Sequence, residues 1–269
     1  MGNLKTYALA GILALAASAT ARAADLPAGL PPMPPAPVPI EVGGGWYLRG
    51  DIGMTNQNAD KLGVGDASDA DFRTIHLDFD SSPLFGLGVG YQFNNWIRAD
   101  VTGEYRGKST LHALERSIVD VGFVNQFTGT KAEWVGLANV YFDLGNWYGI
   151  TPFIGAGIGV AHNTIDNFTD VAISTAGLAF ASEESKTNFA WALHAGLAYD
   201  ITENFKLEFA YRYLNLGDAE TGTLVRRDFS GCNCVSMKFD EIDSHDLKVG
   251  FRYLLGGPVA PIAPVVRKY

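Results

Sequence analysis

Residues 243–246 read Asp-Ser-His-Asp, so a nucleophile type, a base type and two carboxylates stand in one run. If they converged, such a set could hydrolyse an acyl bond. Neighbours on an extended strand point to opposite faces, however, so Ser244 and His245 would not meet there, and no catalytic residue is assigned. Cys232 and Cys234, the only cysteines, stand two apart in "GCNC". In an oxidising compartment they would form a small loop disulfide; as a metal site they lack further ligands nearby. The run "DASDAD" (Asp66 to Asp71), with Asp60, Asp78 and Asp80 around it, offers clustered oxygens to a divalent cation. It lacks the turn glycine and distal glutamate of a helix–loop–helix calcium site, and is read as a solvated acidic surface. His76, His112 and His162 could in principle ligate haem iron, but scattered loop histidines are usually bystanders. No cofactor or metal is assigned.

What must position these residues is a set of strands. Eight stretches alternate with a period of two: "GWYLRGDIGMT", "PLFGLGVGYQF", "WIRADVTGEYRG", "EWVGLANVYFD", "TPFIGAGIGVAH", "NFAWALHAGLAYD", "FKLEFAYRYLNLG" and "HDLKVGFRYLL". In the first, Trp46, Leu48, Ile52 and Met54 share one face, and Tyr47, Arg49, Asp51 and Thr55 the other. Each is as long as the roughly 9–11 residues a membrane-crossing strand needs. Three connections are short turn signals, and four are long: 56–82, 108–130, 163–186 and 218–242. Short turns at one end and long loops at the other are how a membrane barrel joins its strands. An even strand count leaves both termini on the short-turn side.

The flanks are of another kind. Residues 1–23 carry Lys5, an apolar stretch too short to span a membrane, and Ala-Arg-Ala at the end: a secretory signal peptide. Seven of the twelve prolines follow within 24–43, a semi-rigid spacer. Residues 44–255 are the expected barrel, and 256–269 a second Pro-rich tail. The formal charge of −9 argues against a nucleic-acid partner.

The alternation alone fits two barrels: a soluble lipocalin-like one with its apolar face inward, or a membrane one with that face on lipid. Aromatics at the strand ends (Trp46, Tyr91, Phe93, Trp96, Tyr105, Trp134, Tyr199, Tyr211, Tyr213) match interfacial girdles. Charges of both signs in mid-strand would then line a narrow interior and pair there: Arg49, Asp51, Arg98, Asp100, Glu104, Arg106, Lys206, Glu208, Arg212, Lys248 and Arg252, with His194 beside them. The inward glycines of the second and fifth strands would make room. The expected fold is therefore all-β: an eight-stranded antiparallel transmembrane up-and-down β-barrel with short periplasmic turns and long extracellular loops, its first strand paired with its last.

The stretches "GWYLRGDIG", "FGLGVGYQFNNWIRADVTGEYR", "PFIGAGIGVA", "FAWALHAGLAYDIT", "LEFAYRYLNLG" and "SHDLKVGFRYLL", in that order, resemble the outer-membrane surface-antigen (immunogenic protein) barrels of alphaproteobacteria, related to the OmpA-type transmembrane domain. The last strand also resembles an outer-membrane assembly signal, with Lys248, Gly250, Tyr253 and Leu255 at its positions, although the chain continues beyond it. The resemblance implies a structural surface barrel without a shared catalytic set. Its implied partners are outer-membrane lipid, lipopolysaccharide and the barrel-assembly machinery, with both mature termini periplasmic and any extracellular ligand unidentified. The alternatives are a narrow porin-like channel for ions or small solutes, or haemin-like binding through the loops.

Overall fold

The computed structural model describes residues 44–64, 72–120, 122–227 and 235–256. The signal peptide, the Pro-rich spacer, nearly all of the C-terminal tail, Asp66, Asp69, Asp71, Cys232 and Cys234 lie outside the described residues. In chain order the strands are β1 (Gly45–Val64), β2 (Phe72–Phe79), β3 (Ser82–Gln92), β4 (Ile97–Ser117), β5 (Val124–Asp143), β6 (Ile150–Ala172), β7 (Gly177–Ala181), β8 (Glu184–Asp200), β9 (Phe205–Asn215), β10 (Ala219–Glu220), β11 (Leu224–Arg226) and β12 (Met237–Leu254). Eight of them close a ring in the order β1-β3-β4-β5-β6-β8-β9-β12, every pair antiparallel. The first strand pairs with the last along most of its length, from Tyr47↔Leu254 to Val64↔Met237. Closure removes the edge strands that hydrocarbon could not satisfy.

At one end, the turn end, the connections are short, and side chains complete their backbone hydrogen bonds. Asn94 Oδ1 accepts from the Trp96 and Ile97 amides, both at 2.8 Å, and Asn146 Oδ1 accepts from Gly149 N at 3.0 Å. Thr202 Oγ1 accepts from Phe205 N at 3.0 Å. The two ends of the ring meet here as well, Leu255 N donating to Trp46 O at 2.8 Å.

The opposite, loop end is built differently from the sequence expectation. Much of the four long connections is strand: β1, β4, β5, β6 and β12 run on well past the eight alternating stretches, β2, β7 and β10 pair onto these extensions, and β11 pairs onto β7. The strands keep going but change phase. In β4 the inward positions are even up to Arg106 and odd from Ser109, across a bulge. In β6 they are odd up to Ile165 and even from Phe168, with Asn167 between them at φ 53. In β12, Glu241 at φ 53 separates inward Ile242 from inward Phe239. One extra residue in a strand turns every later side chain to the other face.

Polarity reverses across this level. Towards the turn end the outward face is apolar: Trp46, Leu48, Ile52, Phe85, Leu87, Val101, Ile154, Ile158, Leu193, Phe209 and Val249 are all exposed. Two aromatic belts bound that band. One holds Trp46 and Tyr91 edge to face at 5.4 Å, and the other holds Tyr105 with Trp134 at 4.9 Å and Trp191 with Tyr213 at 5.3 Å. Beyond the second belt the inward face becomes apolar instead. Leu62, Phe79, Leu111, Phe127, Ile165, Phe168, Leu224, Met237 and Phe239 form one buried cluster within the loop end, and Asn56, Asn58, Asp60 and His112 point outward.

Two inward glycines are set by neighbours across the strand pairs. Gly90 lies under the Tyr47 ring and Gly155 under the Tyr141 ring, so that a Cβ at either position would overlap ring and backbone atoms together. Gly90→Ala and Gly155→Ala should each cost ~1–3 kcal/mol by overpacking. Gly103→Ala, whose Cβ meets nothing within 4 Å, should change stability little. Urea titration of the folded fraction, read as the mobility shift of unheated protein on gels, measures all three.

Candidate functional site: the bridged interior and the loop end

Between the belts and just past the second, the interior holds an ionic network. Seven buried cations (Arg49, Arg98, Arg106, Lys131, Arg212, Lys248, Arg252) meet seven buried carboxylates (Asp51, Asp100, Glu104, Glu133, Asp143, Glu208, Asp246). The balance matters because an unpaired charge in such a space would be very costly.

The network is organised around three carboxylates. Nearest the turn end, Glu208 lies 3.0 Å from Arg252 Nε, 3.5 Å from Arg98 Nη2 and 3.6 Å from Arg49 Nη2. Arg49 Nη1 donates to Asp100 Oδ2 and Tyr141 Oη, both at 2.9 Å, and its Nε donates to Asp51 Oδ2 at 3.0 Å. Arg98 donates to Asp143 Oδ1 at 3.1 Å and stacks 4.1 Å above the Tyr141 ring. In the middle, Glu104 is gripped by both Nη atoms of Arg212, with Nη1 at 3.1 Å, and receives Lys248 Nζ at 3.2 Å. Nearest the loop end, Asp246 takes a two-pronged contact from Arg106, at 3.0 and 2.9 Å, and Arg212 Nε at 2.8 Å. Arg106 Nε also reaches Glu133 at 2.7 Å, and Lys131 pairs with Glu133 while donating to Gln57 Oε1 at 2.8 Å.

Topology decides what these contacts mean. β4 and β9 stand four places apart in a ring of eight, on opposite walls. Glu104–Arg212 and Arg98–Glu208 therefore cross the full diameter of the interior. The apolar cluster of the loop end fills the ring beyond them.

Every charged residue expected in the interior on sequence grounds sits there, Lys206 at its rim: half-buried, it pairs with Asp200 beside the turn end. Gly250 faces inward against Asp51, Lys248 is in the network, and Tyr253 and Leu255 are exposed outside at the turn end. His194 is buried, its Nε2 3.1 Å from Asn139 Oδ1. The residues missed by sequence reasoning are Lys131, Glu133, Asp143 and Asp246, with Gln57, Asn139 and Tyr141. Asp246 shares the parity of Lys248 and Arg252, and Glu133 flanks outward-facing Trp134, so strand phase could have found both.

The other candidates separate. Ser244 points inward, within a hydrogen bond of Arg106 and 2.6 Å from Asp246 Oδ1, whereas His245 points outward, its Nδ1 2.6 Å from Tyr211 Oη. The two make no catalytic pair. His76 lies on β2, His112 on β4 and His162 on β6, where it meets Thr187 at 2.9 Å. Among the described residues no three His, Cys, Asp or Glu side chains converge on a metal-sized site.

Residues 8–253 match the family model described as outer membrane protein beta-barrel domain. An uncharacterised protein of Brucella abortus is 30% identical over 263 residues, spanning 87% of this chain and 92% of its own. A candidate adhesin of Rickettsia prowazekii is 28% identical over 218 residues, spanning 77% of this chain and 86% of its own. Among solved structures, the outer membrane protein OprG of Pseudomonas aeruginosa superposes with a TM-score of 0.54 over 80% of this chain and 98% of that one, at 14% identity, which is a likeness of fold.

Arg212→Met would leave Glu104 short of its cross-lumen partner and Asp246 short of its neighbour on β9. The expected loss is ~3–5 kcal/mol, as for other buried pairs broken on one side. Adding Glu104→Gln should recover part of it, because the two sites share one network. Urea midpoints of the single and double variants in detergent give the coupling; simple additivity would contradict the bridge.

Proposed function

This chain belongs to the outer membrane protein beta-barrel domain family, and from that membership we propose that it is a closed, non-enzymatic surface barrel of the outer membrane, whose loop end is a rigid platform facing the cell's surroundings. The observation that carries this reading is the bridging of opposite walls by Glu104–Arg212 and Arg98–Glu208. A lumen crossed by paired charges and followed by an apolar cluster resists solute flow, while it holds the wall in one shape against the lateral pressure of the membrane. Support for the envelope and display of the platform follow from the same rigidity.

In this reading residues 1–23 direct export and are removed. Lys248, Gly250, Tyr253 and Leu255 address the barrel-assembly machinery, and the turn end with both mature termini faces the periplasm. The apolar band meets outer-membrane lipid and, in the outer leaflet, the acyl chains of lipopolysaccharide. The reversal of polarity supports this orientation: the loop-end extensions are polar outside and apolar inside, as a water-exposed β-structure must be. The likeness to a candidate adhesin favours contact with another surface as the platform's role. The porin-like alternative requires a water column where the cross-lumen bonds lie.

In planar bilayers the purified protein should give no discrete open-channel steps at moderate voltage; stable steps from the wild type would overturn the closed reading. An epitope inserted at 174–175 should be labelled by antibody on intact cells, and one inserted at 94–95 only after permeabilisation.

A further inference from the structure

The loop end holds a hollow of about 830 Å³ that the barrel reading does not use. It follows from two cross-strand rows. In one, Arg226 of β11 pairs with Ala179 of β7, and Ala179 with Asp170 of β6. In the next, Gly177 of β7 pairs with Ala172 of β6, and Ala172 with Asn125 of β5. Small residues occupy the middle of both rows, so the floor is low and polar side chains stand around it. Phe123 and Leu178 add apolar wall, and Arg227, tied by its amide to Leu178 O at 3.0 Å, adds a second exposed guanidinium.

The polar atoms are not satisfied by one another. Asp170 Oδ1 and Asn125 Oδ1 are shielded from solvent and accept no hydrogen bond. Buried acceptors of this kind are rare and normally meet a donor. Burial also pushes the Asp170 carboxyl up to about 6, against the pull of Arg226. The turn above the floor holds Ala176 at φ 54, a left-handed conformation that alanine seldom adopts and that the surrounding structure must impose.

We propose that this hollow binds an acidic sugar residue, a ring whose hydroxyls donate to Asp170 and Asn125 while its carboxylate is held by Arg226 and Arg227. A simple anion would use the arginines and leave both acceptors empty. A neutral sugar would leave two guanidiniums unmatched, and a cation would face them. Only a ligand with several donors and one negative charge answers the whole lining, and its apolar ring face fits against Phe123 and Leu178. The hollow exceeds one sugar ring, so the residue would be the end of a longer chain. The proposal rests on the loop end facing outward, as read above.

The charged groups facing Asp170 are Arg226 from β11 and Arg227 just beyond it; β5 contributes the neutral Asn125, and β7 contributes Leu178 and Ala179. The carboxylate of an acidic sugar stays ionised between pH 5 and 7.5. Only about one Asp170 in eleven is ionised at pH 5 if it titrates near 6, so affinity for a donor ligand should fall roughly tenfold from pH 7.5 to 5.

The test uses the full-length protein in detergent micelles, titrated with N-acetylneuraminic acid, glucuronic acid, glucose and inorganic phosphate by saturation-transfer difference NMR. At least one acidic sugar should bind ten-fold or more tightly than glucose and phosphate. Asp170→Ala and Arg226→Gln should each weaken it ten-fold or more, and Asp170→Asn should remove the pH dependence. Ala179→Leu, which fills the floor and keeps every charge, should abolish binding while the gel mobility of the folded barrel is retained. Binding of neither acidic sugar, equal binding of glucose or phosphate, or indifference to Ala179→Leu would overturn the proposal. The bilayer and epitope measurements stand apart from it, so a closed, outward-facing barrel without sugar binding would sink this inference alone.

Discussion

A carboxylate on one wall of the ring meets a guanidinium on the opposite wall, and the rest of the molecule is arranged around that meeting. Glu104 and Arg212 can touch only because eight strands make an interior just wide enough for two side chains end to end. The same narrowness forbids any charge without a partner. Within the lumen network seven cations therefore face seven carboxylates, while a further buried carboxylate, Glu115, lies apart in the loop end and accepts from Thr74 Oγ1 at 3.4 Å. Such a network is poor evidence of high stability, because each ion loses its hydration on entering. What it supplies is shape: Glu208 is shared by Arg49, Arg98 and Arg252 from three strands, and Asp246 by Arg106 and Arg212, so movement of one wall disturbs several pairs. The aromatic rings of Tyr47 and Tyr141, seated over Gly90 and Gly155, hold the guanidinium stacks in place.

One strand serves two solvents. β4 is charged inside and apolar outside from Arg98 to Tyr105; from Lys108 to Arg116 it turns Leu111 and Ala113 inward beside Ser109 and Glu115, and Lys108, Thr110, His112 and Arg116 outward. A single alternating pattern cannot produce both, because the inward face must change its chemistry where the surroundings change from hydrocarbon to water. The bulges near Gly107, Asn167 and Glu241 lie close to this boundary. They let the strand re-aim its side chains without ending, and they carry the barrel beyond the membrane as a continuous wall. The platform at the loop end is therefore as firmly braced as the barrel below it, and its hollow lies on paired strands.

This boundary also explains which parts were legible. Within the hydrocarbon band the two faces differ sharply, so Trp46, Leu48 and Ile52 could be separated from Tyr47, Arg49 and Asp51 by counting alone. The closure of the first strand on the last followed from the even count and the need to remove edges. Past Tyr105, Val160 and His245 the phase slips by a residue and both faces become mixed, so the extensions read as loops although they are paired strands. Glu133 and Lys131 keep the inward phase of β5; they were missed because the alternating stretch recognised there begins only at Glu133.

The residues by themselves determined the class of wall, the number of its crossings and the side on which charges lie, because those properties depend on local alternation and strand length. They did not determine which charges pair. Glu104 and Arg212 are 108 positions apart, and only ring order and register bring them to the same height on facing walls. Nor did they determine the hollow at the loop end. Arg226, Ala179 and Asp170 form a row only once three strands have paired, and the small residue between the two charged ones becomes a space only in that company.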